Sequence, residues 1–304
     1  MFSTQIRTDL ALEAHENAQN LESNSHSPIH GIEVTEQHHK KSNTHITRVF
    51  ITTKNGARAI GKPMGRYITI EAPDMAQPDD GLHREISKEI SRQLKYMIPD
   101  LTEEKSILIV GLGNRDVTAD ALGPDVIDNL KITRHILQEY GKAAYNTDHV
   151  HSISSLAPGV MAKNGMETAE IIKGVIDQTH PDLMLVIDAL AARNIRRLNT
   201  TIQLTDTGIL PGSGVGNHRN ALTQESLGLP VIAIGVPTVV DAATIVRNAL
   251  DLLGSPTALF DSDEPNVQKS FQDLNNMYVT AKDIDATIKR LSFTISEALN
   301  MTFN

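Results

Sequence analysis

An α/β fold of the phosphorylase/hydrolase-like kind, with a largely parallel central sheet flanked by helices, follows from three short apolar runs separated by amphipathic segments. The runs are SILIVGLG from Ser106, DLMLVID over residues 182–188 and PVIAIG over residues 230–235. None alternates between apolar and polar residues, as a strand with one wet face would. Continuous apolar character over so short a length marks a parallel strand covered on both faces. The intervening segments carry helical periodicity over roughly ten to fifteen residues, which is the spacing of strand–helix–strand units.

The elements follow in order. Residues 1–16 are helix-prone, and residues 17–43 are polar and histidine-rich, a loop-rich segment with room for one short strand. Residues 45–53 alternate, Lys54-Asn55-Gly56 forms a turn signal, and residues 66–72 return after Gly65, which predicts an N-terminal β-hairpin added to the main sheet. Asp79-Asp80-Gly81 leads into a helix over residues 82–97, with Ile86, Ile90, Leu94 and Met97 on one stripe. After SILIVGLG a loop reaches Gly123, and Pro124 opens a helix carried on through Ile127, Leu130, Ile132 and Ile136. A strand near residues 149–154, a loop with Pro158-Gly159 and a helix from about residue 167 to 178 precede DLMLVID. TIQL (201–204) and PVIAIG supply two further strands, and a helix covers residues 241–253. Residues 255–276 form a polar connector, and an amphipathic helix over residues 281–300 ends the chain.

The 304 residues suffice for one large domain or one domain with an appendage. Aromatic residues are 4% and Trp is absent, so the core rests on Val, Ile, Leu and Ala. No window approaches the roughly eighteen uninterrupted apolar residues of a membrane-spanning helix, and the charged N-terminus lacks the apolar core of a secretory signal. The absence of cysteine removes disulfides, thiol nucleophiles and zinc–thiolate sites together, and suits a cytosolic protein. A net charge of −9 argues against nucleic acid as the main ligand, although an acidic enzyme can still act on a nucleic-acid-binding protein.

In open α/β sheets the ligand site lies beyond the carboxyl ends of the strands. That rule selects residues 111–124, 156–167, 188–193 and 206–217. Two carboxylates stand out there: Asp188 closes the run LMLVID, and Asp120 lies in the loop after VGLGN, just before the helix of Pro124. Two acids brought together are driven apart in pKa, because like charges at close range resist joint ionisation. One then stays protonated near neutral pH while the other acts as a base on water, the pair that peptide hydrolysis needs without a thiol. An Asp before a helix also serves as a cap. Asp116, Asp125 and Asp206 compete with the favoured pair, while Asp125 and Asp128 suit the positive end of a helix.

The remaining motifs exclude more than they establish. VGLGN is an incomplete dinucleotide fingerprint, since Asp116 occupies the third glycine position. P-loop, G-x-S-x-G and H-E-x-x-H patterns are missing. The run PGSGVGN supplies Gly212, Gly214, Gly216 and Asn217 as candidate oxyanion or substrate donors, or a plain turn. The histidines at 26, 30, 38, 39 and 45 fit a solvated loop, whereas His218 beside the glycine run is kept as a candidate. Arg193 is a candidate partner for an acidic substrate side chain, or a surface ion pair.

The strings VGLGN, VTADALGPDVIDNLKITRH, PGVMAKNGMET, VIDALAAR, DTGILPGSGVGNHR and LGLPVIAIGVPTVVDA occur in that order, after an N-terminal RTDLALEA and before NNMYVTAKDID. Together they resemble the spore germination protease family. VGLGN followed by D-x-L-G-P is similar to the hydrogenase maturation peptidases, which share the core fold and use the same two positions around a metal. The resemblance implies an endopeptidase that degrades small acid-soluble spore proteins at germination, with Asp120 in DALGP and Asp188 in VIDALAAR as the essential aspartates. No cofactor is assigned, and a divalent metal held by Asp120, Asp188 and His218 stays open. It also implies a zymogen. The family's substrate sites pair an acidic residue with a following apolar–Ala–x–Glu segment, and Asp9 followed by Leu10-Ala11-Leu12-Glu13 has that pattern. Self-cleavage between Asp9 and Leu10 is the expectation, with residues 1–9 as propeptide and 10–304 as a single α/β peptidase domain. The expected setting is the cytoplasm of the spore core, with spore proteins as substrates, no direct contact with nucleic acid or membrane, and a homo-oligomer, a tetramer in the family. The short polar connector departs from the longer region of many members and puts that assembly in doubt.

Overall fold

A strand buried on both faces must send alternate side chains into two separate cores, and the central strands do this. In the computed structural model, which describes residues 9–22, 30–145, 147, 149–212, 220–252, 273–274 and 276–304, the run SILIVG forms β4 (Ser106–Gly111). Its Ile107 and Ile109 enter one core, and Leu108 and Val110 the other. The next strand of that layer, β6 (Leu183–Ala192), divides its side chains the same way, Leu185 and Ile187 against Met184 and Val186.

The other strands are β1 (Ile32–His39), β2 (Thr44–Ile51), β3 (Gly65–Glu71), β5 (Ser152–Leu156), β7 (Thr201–Thr205), β8 (Val231–Asp241) and the short β9 (Tyr278–Val279). Among the described residues they form one sheet in the order β1-β2-β3-β7-β8-β6-β4-β5, with β9 on β8. Pairings among β8, β6, β4 and β5 are parallel, and those of β1, β2, β3 and β7 through to β8 are antiparallel. The sheet is therefore mixed: its parallel half is the part foreseen from the apolar runs. The hairpin is continuous with that half through β7, because β7 pairs with β3 on one side and β8 on the other.

Helices cover both faces. The first core is closed by α3 (Asp80–Met97) and the C-terminal helix (Ile284–Phe303). Ile86, Ile90, Leu94 and Met97 of α3 are at most 1% exposed, so the stripe legible in sequence is the packing face. Each such side chain contributes about 1.5–3 kcal/mol relative to exposure. The second core lies under α7 (Thr168–Thr179) through Ala169 and Ile172.

Four local expectations are corrected. Lys54-Asn55-Gly56 opens a helix, α2 (Lys54–Ile60), instead of a turn. Thr53 caps it by accepting the Gly56 N–H at 3.1 Å, and Gly61 ends it in the left-handed region at φ 72°. The helix of Pro124 is broken into α4 (Leu122–Ile127) and α5 (Arg134–Tyr140). Between them the chain is captured by β5: Thr133 donates its N–H to the Ile153 carbonyl and its hydroxyl to the His151 carbonyl. The polar stretch before residue 44 contains an eight-residue strand, β1, and the N-terminal helix α1 (Ala11–Glu22) runs beyond residue 16. β6 and β8 each extend four to six residues past the apolar runs that announced them. Three short helices, α6 (Met161–Asn164), α8 (Gln224–Leu227) and α9 (Ala242–Leu252, three turns), complete the described elements beside isolated 3-10 turns. Most of the polar connector lies outside the described residues.

Candidate active site

The site begins where β4 stops. Beyond Gly111 the Leu112 N–H donates to the Ile187 carbonyl at 2.8 Å, holding the departing chain against β6. Gly113 then takes φ +119°, and a Cβ there would lie 1.9 Å from the Asp120 carbonyl oxygen. Only glycine permits that approach. Gly123 has the same role, since a Cβ would stand 2.3 Å from the Leu112 carbonyl oxygen. The glycines of VGLGN and of ALGP therefore let the loop fold back on itself.

Asp120 is placed by that fold. It ends a 3-10 turn (Thr118–Asp120), and its Oδ2 accepts the Asn114 N–H at 2.9 Å. The N-cap of α4 is Ala121, without a side-chain cap bond, so Asp120 is not the helix cap. Thr238 of β8 donates to the Ala119 carbonyl at 2.6 Å, pinning the turn over the sheet. Asp188 lies within β6, four residues before its end, a correction to its reading as the final strand residue. The β4–β6 ladder nevertheless stops at Gly111 opposite Ile187, so Asp188 is the first β6 residue without a β4 neighbour. On its other side stands Gly235 of β8. Asp188 is 7% exposed, and its Oδ1 accepts the Ala189 N–H at 3.0 Å. Both aspartates line one cavity of about 910 Å³, at the upper end of the size usual for ligand sites.

The competing acids are engaged elsewhere. Asp206 accepts from the Arg66 backbone N–H at 2.8 Å and from its Nε at 2.7 Å. Asp116 pairs with Lys163, and Arg115 bridges Asp125 and Asp128. Gly212 lines the cavity. Gly214, Gly216, Asn217 and His218 lie outside the described residues. Among the described residues no three acidic or histidine side chains converge as a metal's donor set.

The N-terminal segment enters the same cavity. Asp9 lines it and pairs with β6: its N–H donates to the Ala191 carbonyl at 3.2 Å, and its Oδ2 accepts the Ala191 N–H at 3.0 Å. Leu10 is fully buried with Leu190, Ala192 and Val240. Glu13 is 2% exposed, and its two oxygens accept the backbone N–H groups of Arg193 at 2.8 Å and Asn194 at 2.9 Å. Arg193 thus meets an acidic side chain through its backbone, while the nearby guanidinium is that of Arg197, 3.5 Å from Glu13 and bonded to Glu16 and Glu71. Burial opposes charge on Arg197, but Glu16 and Glu71 outweigh it and hold the pKa above its ordinary value.

Two cavity residues escaped sequence reasoning. Lys62 donates from Nζ to the Asp9 carbonyl at 2.9 Å, and Gln203 from Nε2 to the same oxygen at 3.2 Å. Burial pushes the Lys62 pKa down, against the opposing pull of Asp9 and Glu13. Tyr67 donates its hydroxyl to the Pro63 carbonyl at 2.9 Å, steadying the chain next to Lys62. Burial raises its phenol to about 12, so it remains a donor across neutral pH. The signal for Lys62 lies in Gly61-Lys62-Pro63, which punctuates the end of a helix, and it is legible only once residues 54–60 are a helix and not a turn.

The chain matches the peptidase family model described as Germination protease over residues 11–256. It is 43% identical to the germination protease of Caldanaerobacter subterraneus subsp. tengcongensis, over 97% of this chain and 93% of that protein. It is 40% identical to the germination protease of Clostridium perfringens, over 97% and 94%. A match at 44% to the Bacillus cereus protein covers 82% of this chain and 66% of that one. Among solved structures, a [NiFe] hydrogenase maturation protease HycI from Thermococcus kodakarensis aligns over 66% of this chain and 96% of that one, at 20% identity and a TM-score of 0.32, too loose a superposition to bear on the site.

Proposed function

The chain belongs to the germination protease family and is a peptidase, and from that premise we propose that it is a self-processing endopeptidase that initiates breakdown of small acid-soluble spore proteins, with Asp120 and Asp188 as its catalytic pair. The observation that carries this reading is that the two aspartates, from different strand–loop units, open on a single cavity already entered by the chain's own Asp9.

One carboxylate takes a proton from water as its oxygen attacks the carbonyl carbon, and the other carboxyl protonates the departing amine. A close pair titrates jointly, so the base and acid roles belong to the pair. Asp188, in the drier position, is held by an adjacent backbone N–H, and Asp120 by the Asn114 N–H; these contacts orient the carboxyl groups before substrate arrives. The segment of residues 1–9 is the proposed propeptide, released by cleavage between Asp9 and Leu10. The proposed setting is the cytoplasm of the spore core, with a homo-oligomeric enzyme. Among the described residues no helix is long and apolar enough to cross a membrane.

Purified Asp120→Asn and Asp188→Asn variants, incubated with an acid-soluble spore protein, test the pair; undiminished cleavage by both would sink it. Intact-mass measurement of the active enzyme tests processing, which requires a chain beginning at Leu10. Chelation that abolishes cleavage, reversed by one divalent ion, would instead assign the same aspartates to a metal.

A further inference from the structure

We propose that residues 9–13 lie in the cleft as a bound substrate does, and that Lys62, with Gln203, binds the carbonyl oxygen of the bond to be cut. This rests on the reading above that the bond between Asp9 and Leu10 is the one hydrolysed.

Each of the four specified positions of the acidic–apolar–Ala–x–Glu pattern, Asp9, Leu10, Ala11 and Glu13, has a partner. Asp9 forms two hydrogen bonds with Ala191, and Leu10 fills an apolar pocket against Leu190 and Val240. Ala11 is completely buried among Val49, Ile51, Ile60 and Tyr67, where its single methyl is packed on all sides. Glu13 is gripped by two backbone N–H groups with Arg197 behind them. Gln203 spans the bond itself: Nε2 donates to the Asp9 carbonyl at 3.2 Å, and Oε1 accepts the Ala11 N–H at 2.6 Å. Lys62 Nζ, 2.9 Å from the same carbonyl, completes a two-donor site in the cavity that Asp120 and Asp188 also line.

Anchoring an N-terminal helix accounts for the apolar contacts and for the Arg197 ion pairs. It does not call for two side-chain donors, Lys62 and Gln203, to converge on one main-chain carbonyl oxygen, that of the bond proposed to be cut. Placing donors on a carbonyl oxygen is what stabilises charge as water adds to the carbon. In that step the water oxygen bonds to the Asp9 carbonyl carbon, its proton passes to a carboxylate of the pair, and the C=O π electrons move onto the oxygen facing Lys62 and Gln203. The C–N bond to Leu10 then breaks, the nitrogen takes a proton from the carboxyl of the pair, and the oxygen's electrons re-form C=O in the new Asp9 carboxyl. A substrate cut in trans takes the place that residues 9–13 hold here.

The test uses the enzyme and its variants produced directly in the processed form, residues 10–304, and quenched fluorescent peptides containing Asp-Leu-Ala-Leu-Glu or Asp-Leu-Ala-Leu-Gln. Lys62→Met is expected to lower kcat by about 10²–10³-fold with KM nearly unchanged, and Lys62→Arg to recover part of the loss. In the wild type, the Gln peptide is expected to raise KM by about tenfold at unchanged kcat, the loss of one charge-assisted contact. If Lys62→Met cleaves as well as the wild type while Asp188→Asn does not, the Lys62 assignment is overturned and the aspartate pair stands. If Asp188→Asn cleaves normally and Lys62→Met is impaired, the pair fails and Lys62 survives. Should Lys62→Met lose its thermal transition, the wild-type peptides decide: equal kcat/KM for Glu and Gln overturns the docked register.

Discussion

Asp188 and Asp120 differ in how their surroundings hold them, and single substitutions separate position from chemistry. Asp188 sits inside a strand flanked by Gly235 and Ala189, where asparagine is nearly isosteric. Asp188→Asn is therefore expected to leave the thermal transition in place while lowering kcat by about 10²–10⁴-fold, the span of a general acid–base group. Circular dichroism melting beside a cleavage assay checks both halves. Gly113→Ala should fail differently. Its φ of +119° and its contact with the Asp120 carbonyl force the loop to move, costing roughly 1–3 kcal/mol of stability and displacing Asp120. Urea titration reads the first effect; a variant with wild-type stability and activity would contradict the close-approach account.

At the scale of elements, α2 links local sequence to the cleft. Thr53 caps its start and Gly61 turns its end, and the next residue is Lys62. Thr53→Ala is expected to cost about 1 kcal/mol globally and to lower peptide cleavage, because the fraying helix no longer aims Lys62. Cleavage compared with Thr53→Ser, which keeps the hydroxyl, isolates the cap. The long helices behave otherwise. Leu94 of α3 is fully buried and does not line the cavity, so Leu94→Ala should cost about 2–5 kcal/mol with kcat per folded molecule retained. A denaturant midpoint and an active-site-normalised rate distinguish the two results.

For the molecule as a whole, two buried histidines contribute to its response to acid. His151 accepts the Lys105 N–H at Nδ1 and packs edge-on against Phe303 of the C-terminal helix. Burial, reinforced by neighbouring His149, holds its pKa below the ordinary 6.5, and burial does the same to His15 of α1 against the pull of Glu16 and Glu36. Both therefore bind their protons at higher pH in the unfolded chain than in the fold. Their contribution is complete above pH 6.5, declines as pH falls through 6.5, and levels off below the folded-state pKa values. Urea midpoints across that range should fall on acidification, and less steeply in His151→Gln; identical slopes would remove His151 from the account.

Much of this architecture was legible along the chain, and the exceptions share a cause. SILIVG, LMLVID and VIAIG announced buried strands because a strand covered on both faces has no polar side to hide, and the α3 stripe announced itself because one helix face meets one core. Asp120 and Asp188 are candidates from the loop after SILIVG and the end of LMLVID, and both line the cavity. Lys54-Asn55-Gly56 was misjudged because a turn signal and a capped first helical turn use the same residues, and the choice fell to the packing of Ile60 against Val49, Ile51 and Tyr67. The antiparallel placement of β7 depends on which edge β3 leaves open, and no local pattern carries that.

The sequence by itself determined the chemistry available: two carboxylates, one closing an apolar run and one in the loop after another, no thiol, and an acidic–apolar–Ala–x–Glu segment near the N-terminus. Only the tertiary structure decided which groups share a cavity, since Asp9, Lys62, Asp120, Asp188 and Gln203 come from five separate stretches of chain and meet only when β7, β8 and β6 lie side by side. The reason is physical. Local propensity acts over a few bonds, whereas the approach of charged groups in one cavity is set by how the sheet's two halves pack and by which glycines let the chain pass.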